Sequence, residues 1–283
     1  YRGVAAGSFR SRVRFTPDGG SPPFSLATSA QTGVNTGFTH VPGITLAPDA
    51  EGYWVTNLYS WVAGTTSSPV GTFTATDAAG NTTVAPGGMF DDSTPPVGTS
   101  VEATGLTGID GRYSHSTTLH LALATGTDSE SGVAATGAKL TRASATLISS
   151  DGVVKGVCGT YGAATQVGAA DPGATATDVV PADDRCYRYT YTVPDHVGNV
   201  ATAVSQDIKV QTTPSASLTP SNVQITPVTG LTAQYVSGST VYYRPSLTGS
   251  FSVTATASDP VSGIAWFTFP APDGFSGGGA VSS

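Results

Sequence analysis

The sequence predicts an all-β chain built from tandem β-sandwich modules, one complete and two partial. Three observations carry that prediction. Gly (35) and Pro (19) make up about a fifth of the 283 residues, and Thr, Ser, Ala and Val supply most of the rest. This is strand-and-turn composition, poor in the Leu, Glu and Lys that build helices. Next, the stretch Ser116 to Val210 reads as a whole module, with alternating runs on both sides of tight turns. Finally, two turn signatures of that module recur outside it. At 283 residues the chain is too long for one sandwich of about 100 residues and suits two or three.

Residues 1–96 read as the late part of a module behind an irregular start. Ser8 to Phe15 alternates, with Phe9, Val13 and Phe15 in phase and arginines between. A charged outer strand face, which discourages edge pairing, explains those arginines better than an anion site does. Thr16 to Pro23 is a turn, and residues 24–52 read as a long loop with short strands. From Tyr53 to Val62 the run is aromatic and strand-like. Gly71 to Thr76, Asp77-Ala78-Ala79-Gly80-Asn81, and Thr82 to Val84 then spell a hairpin. Asp91-Asp92-Ser93-Thr94-Pro95-Pro96 closes the segment as a stiff joint, because Pro cannot donate to a ladder.

Residues 97–212 are the complete module. Thr118 to Ala124 alternates and leads to the acidic turn Asp128-Ser129-Glu130-Ser131-Gly132. Cys186 to Val193, the turn Asp195-His196-Val197-Gly198-Asn199, and Val200 to Val204 form a second hairpin. Val210-Gln211-Thr212-Thr213-Pro214 repeats the joint. Residues 213–283 read as the early part of a further module. Val223 to Ile225 and Thr240 to Tyr243 are short strands. Phe251 to Ala257, the turn at Ser258 to Gly263, and Ile264 to Phe269 match the opening of the central module. Gly274 to Ser283 is Gly/Ser-rich and is expected to hold no further strand. The early signal (strand, Asp-x-x-Ser-Gly, strand) thus appears at 119–139 and 251–269, and the late one (strand, Asp-x-x-Gly-Asn, strand) at 72–84 and 189–204. Only the central module carries both.

Composition excludes several functions. A net charge of −7 with 12 Lys and Arg argues against nucleic acid, whose affinity rests on cationic contacts to phosphate. No apolar run approaches the ~20 residues of a membrane-spanning helix, so no membrane insertion is expected. The chain begins on Tyr1 without an initiator Met or signal peptide, which reads as a mature fragment or a window of something longer. The two cysteines, Cys158 and Cys186, both fall in the central module. With four scattered histidines they make a poor zinc site. In a Thr/Ser/Gly-rich, Lys-poor chain, one disulfide is expected over two free thiols.

The repeated turns have a sufficient structural explanation. Asp77, Asp128, Asp195 and Asp259 are expected to cap turn amides, beside Gly and Asn that tolerate positive φ. Calcium takes about six to eight oxygens. No single loop offers more than two carboxylates (Asp128 and Glu130; Asp183 and Asp184; Asp91 and Asp92), so no metal and no cofactor is expected. The sequence lacks His-Glu-x-x-His and a phosphate loop, and no enzyme activity is expected.

Ser258-Asp259-Pro260-Val261-Ser262-Gly263-Ile264, with Phe269-Pro270 and Gly274-Phe275-Ser276-Gly277-Gly278-Gly279 downstream, resembles the tandem bacterial Ig-like repeats of very large secreted or cell-surface proteins. So does Cys158-Gly159-Thr160-Tyr161-Gly162 followed by Cys186 to Asn199. The resemblance covers residues 53–283 well and 1–52 poorly. It implies an Ig-like sandwich, pairing of Cys158 with Cys186, an extracellular or cell-surface location, and a stalk, adhesin or filament role without catalysis. On this reading the chain is a structural repeat unit that polymerises head-to-tail with itself. Phe251, Val253, Trp266, Phe267 and Phe269 of the early half would meet Tyr59, Trp61 and Phe73 of the late half at a subunit junction. The alternative is a surface adhesin or carbohydrate-binding module, with Tyr53, Trp54, Tyr59 and Trp61 as the exposed platform for a surface glycan.

Overall fold

The computed structural model describes residues 4–14, 23–30, 37–108, 110–148, 156–182, 184–213, 220–227, 233–259, 261–264, 266–271 and 273–282. Phe15, Asp183, Pro214, Pro260 and all of the turn expected over Thr16–Pro23 except Pro23, which opens a strand, lie outside them. The described residues form strands and turns with no helix, so the chain is all-β. No helix is long and apolar enough to cross a membrane among them. The chain groups into two compact units. One comprises Tyr1–Thr99, Thr125–Ala138 and Thr192–Thr202, and the other Ser100–Ala124, Lys139–Tyr191 and Ala203–Ser283.

The first unit is built on small antiparallel sheets. Tyr59–Trp61 lies between Gly7–Phe9 and Phe38–His40, and a four-stranded sheet runs Gly43–Thr45, Pro23–Thr28, Val70–Asp77, Thr82–Gly88. Alternation decides which side chains are buried: Leu26 and Thr28 are sealed while Ser25 and Ala27 are half-buried. Tyr59 is fully buried, its ring stacked on Phe9 at 5.0 Å and on His40 at 3.7 Å. Gly7 sits opposite Trp61 in register, where any β-carbon would run into the indole. The arginines of this segment are engaged. Arg12 pairs with Asp49 and Glu51, and Arg10 donates to the Thr56 carbonyl.

The second unit holds the largest core. Thr118–Ala124 is the middle strand of a sheet with Ser100–Thr104 and Thr175–Val179. Its pattern buries Leu119, Leu121 and Leu123 and exposes the residues between. A seven-stranded sheet is centred on Arg185–Pro194, flanked by Ile208–Val210 and Lys139–Ile148. Within this unit, Tyr187, Tyr189 and Tyr191 are wholly buried on one face of that strand. Each sheet therefore has an apolar face that must be covered. Polar bonds tie the two together: Arg142 Nη1 donates to both oxygens of Asp178, and the Tyr189 hydroxyl donates to the same carboxylate. Desolvation and this bond push the Tyr189 phenol well above its ordinary pKa.

The disulfide Cys158–Cys186 joins Val157–Cys158, an edge strand on Lys139–Ile148, to the central strand. Cys186 packs with Ala145, Leu147 and Val261, with Tyr161 against them. The rest of this unit is far less consolidated. Ser221–Pro227 pairs with Phe251–Thr256, Gln234–Ser237 with Thr240–Tyr243, and Trp266–Phe269 with Gly279–Ser282. The last pairing corrects the expectation that nothing after Gly274 is a strand. Positive φ at Gly277, Gly278 and Gly279 turns the chain sharply enough for Gly279–Ser282 to return along Trp266–Phe269.

Candidate functional site

The four aspartates singled out in the turns all accept turn amides. Asp77 Oδ1 takes the amides of Ala79 and Asn81 at 2.9 and 2.8 Å, and Oδ2 takes the Asn81 side-chain amide at 2.8 Å. The Asn81 bonds hold this carboxyl below the ordinary aspartate value. Asp195 repeats the arrangement, with Val197 N, Asn199 N and Asn199 Nδ2 at 2.9, 2.8 and 2.6 Å. Asp128 Oδ1 accepts from Glu130 N at 2.8 Å and Gly132 N at 2.9 Å, and Asp259 Oδ1 from Val261 N at 2.8 Å and Ser262 N at 3.1 Å.

Two of these turns converge in the first unit on a third residue, Asp92, from the joint before Pro95. Asp92 Oδ2 accepts the Ser131 amide at 3.0 Å and Oδ1 the Thr94 amide at 3.3 Å. Asn199 Nδ2 bridges Asp195 Oδ2 to the Asp92 carbonyl at 3.1 Å and to Asp92 Oδ1 at 3.2 Å. His196 Nδ1 lies 2.9 Å from the carbonyls of both Ser131 and Gly132. Since both partners are acceptors, that nitrogen carries the proton. One carboxylate oxygen from each of Asp92, Asp128 and Asp195 falls within 4.8 Å of the others. Asp92 and Asp195 are each only 3% exposed. Burial pushes the Asp92 carboxyl up, Ser131 and the Thr94 amide pull it down, and the balance lies below the usual aspartate value.

Sequence reading singled out Asp128 and Asp195 as turn caps and named Asp92 only as half of an acidic pair. It missed Asn199 as the link and it missed Gln211. The signal was there in the repeated joint, where Gln211-Thr212-Thr213-Pro214 stands as Asp92-Ser93-Thr94-Pro95 does. Gln211 Nε2 donates to both oxygens of Asp259, at 3.3 and 3.1 Å.

No protein-family model and no curated protein sequence matches the chain. Among solved structures, one neighbour is a 1.5-MDa bacterial ice-binding adhesin studied for its retention at the host cell surface. It is 15% identical over 81% of this chain and 63% of its own, with a TM-score of 0.35. Another is a Ca²⁺-stabilised, ice-binding adhesin of an Antarctic bacterium, 18% identical over 80% of this chain and 47% of its own, with a TM-score of 0.27. The chain thus spans less than two thirds of either. TM-scores this low leave function to be argued from the chain's own residues.

The other expected site residues divide by burial. Trp54 and Tyr59 are core, 4% and 1% exposed, so the Tyr53–Trp61 run is no open aromatic platform. For the same reason Tyr59, expected at a subunit junction, has no surface to give one. Its place is between Phe9 and His40. Trp61 and Phe73 are half-buried, as are Phe251, Val253, Phe267 and Phe269, while Trp266 is 63% exposed.

Proposed function

We propose that the chain is a structural repeat unit of an extracellular fibre, stalk or surface layer. It is built from Ig-like modules and carries no catalysis, and its half-module faces are completed by a neighbouring unit. The observation that carries this reading is the state of residues 220–282. Their strands form three separate two-stranded ladders, and an isolated two-stranded ladder is marginal in water. Of their described hydrophobic residues only Ala233 and Val261 are buried, while Tyr235, Tyr242 and Trp266 are 67, 60 and 63% exposed. A groove of about 680 Å³ runs along this segment, walled by Tyr243, Leu247, Phe251, Val253, Phe269 and Phe275. Open strand edges and a groove walled in part by aromatic side chains suit strand addition from another copy. Such a head-to-tail contact need not close on itself, so it builds a filament.

Two further features support the reading. The Tyr187 hydroxyl bonds back to Ala182, donating to its carbonyl at 2.6 Å and accepting its amide at 3.2 Å. A tyrosine near the start of a core strand, bonded to backbone a few residues upstream, resembles the corner of Ig-type sandwiches, although here it follows the cysteine. The buried disulfide suits an oxidising, extracellular setting.

A second reading, a surface adhesin or carbohydrate-binding module, draws on the exposed tyrosines Tyr235 and Tyr242, whose ring centroids lie 6.3 Å apart. Electron microscopy and sedimentation of the native chain separate the two. The repeat-unit reading expects fibres or concentration-dependent oligomers, weakened by Trp266→Ser without loss of the monomer's melting transition. Isolated monomers at every concentration, with retention on a glycan surface, would overturn it in favour of the second.

A further inference from the structure

We propose that Tyr235 and Tyr242 are a site of oxidative cross-linking, at which a peroxide acting through a one-electron catalyst joins the two rings into a dityrosine. The sequence sets them on the two arms of a hairpin. Gln234–Ser237 pairs with Thr240–Tyr243 across the turn Gly238-Ser239, and Gly238 supplies the positive φ that so short a turn needs. In that register Tyr235 stands directly opposite Tyr242, so both side chains leave the same face of the ladder. Their ring centroids are 6.3 Å apart with the planes tilted by 31°, and the residues are 67 and 60% exposed. An oxidant in solvent reaches both rings, and each radical meets its partner without a diffusive search.

Among the described residues no other two tyrosines combine exposure with a shared face. Tyr59, Tyr113, Tyr187, Tyr189 and Tyr191 are buried. Tyr53 and Tyr161 are half-buried, with the guanidinium groups of Arg12 and Arg188 over their rings at 4.4 and 4.1 Å. Tyr243 is 55% exposed, but it stands opposite Gln234 on the other face of the ladder, where its ring meets Phe275 edge-on at 5.0 Å. The coupling balances with peroxide as the oxidant. Each phenol gives up one electron and its proton, and the radicals join through the ring carbons next to the oxygen-bearing ones. The hydrogen on each joined carbon then moves to oxygen, which restores two phenols. The two electrons and two protons released reduce one hydrogen peroxide to two waters. The oxidising setting that suits the Cys158–Cys186 disulfide is one in which such an oxidant persists. The product ties both arms of a two-stranded ladder that is marginal by itself, and it does so within one chain, whether or not units assemble.

The test treats the intact chain, diluted until sedimentation shows monomers, with hydrogen peroxide and a haem peroxidase. The expected result is the blue fluorescence of dityrosine, with the peptide that carries both residues lighter by two hydrogens. Tyr242→Phe keeps the ring but removes the phenol that forms the radical, so the fluorescence should fall about tenfold or more. Tyr243→Phe should leave it unchanged. Both positions are exposed, so neither substitution empties a core. A native chain that forms no dityrosine under conditions that couple free tyrosine would overturn the site. Cross-linked dimers in place of the intramolecular product would overturn it as well, because the rings would then be meeting only between copies. Undiminished fluorescence from Tyr242→Phe would overturn the residue assignment.

Discussion

At the scale of single residues, the Gln211–Asp259 contact sets a measurable acid limit. Asp259 is 4% exposed and is bonded by the amides of Val261 and Ser262 and by Gln211, with the Tyr113 phenol also within its field. Burial pushes its carboxyl up, but the three donors outweigh it and hold the group below its ordinary value. A folded-state pKa below the unfolded one means stability that is complete above about pH 4. It is lost as pH falls through the depressed folded value. Urea melts at stepped pH should therefore show stability falling below about pH 4, and Asp259→Asn should flatten part of that fall. The same variant should cost about 1–2 kcal/mol at neutral pH, because the amide cannot accept at both oxygens. Equal acid slopes for the two proteins would remove Asp259 from the account.

At the scale of elements, the sequence is most readable where local chemistry dictates structure. The run Thr118–Ala124 alternates in the sequence and alternates in burial, because a half-buried strand has a period of two. The Asp-x-x-Gly-Asn turns are as legible, since Asp, Gly and Asn satisfy the turn from within. Gly279–Ser282 was not legible: its neighbours are glycines, and only pairing with Trp266–Phe269 makes it a strand. The Asp92–Asp128–Asp195 cluster was hidden for a different reason, as its members are adjacent only in space. Core strands should respond to truncation as a packed interior does. Leu121→Ala, at a position 2% exposed, should cost about 2–5 kcal/mol in chemical denaturation, whereas Val200→Ala, 51% exposed, should stay within about 0.5 kcal/mol. Similar losses at both positions would mean that the buried face of the sheet is not the core.

At the scale of the whole molecule, stability is distributed unevenly, and the distribution bears on assembly. The second unit contains both the strand segment that buries Cys186, Tyr187, Tyr189 and Tyr191 and the three ladders with open faces. The disulfide closes a span of 28 residues within the consolidated part, a constraint worth about 3 kcal/mol on the chain-entropy view. Among the described residues of 220–282, Val261 packs on Ala145, Leu147 and Cys186 of that same core. Local opening is easiest where few apolar side chains are buried, so amide exchange should report the contrast directly. In dilute solution the amides of Arg185–Val193 should exchange at the global unfolding limit, and those of Ser221–Pro227 and Trp266–Phe269 orders of magnitude faster. In assembled material the fast set should slow sharply, because an added strand would occupy their edges and cover Tyr235, Tyr242 and Trp266. The exchange of Arg185–Val193 should not change. If Ser221–Pro227 is as protected in the dilute chain as the central strand, the ladders are complete by themselves and need no neighbour. If it stays fast in fibres, the neighbour binds elsewhere. Slowing confined to residues 220–282 and the surface that meets them is what completion of one unit by the next requires.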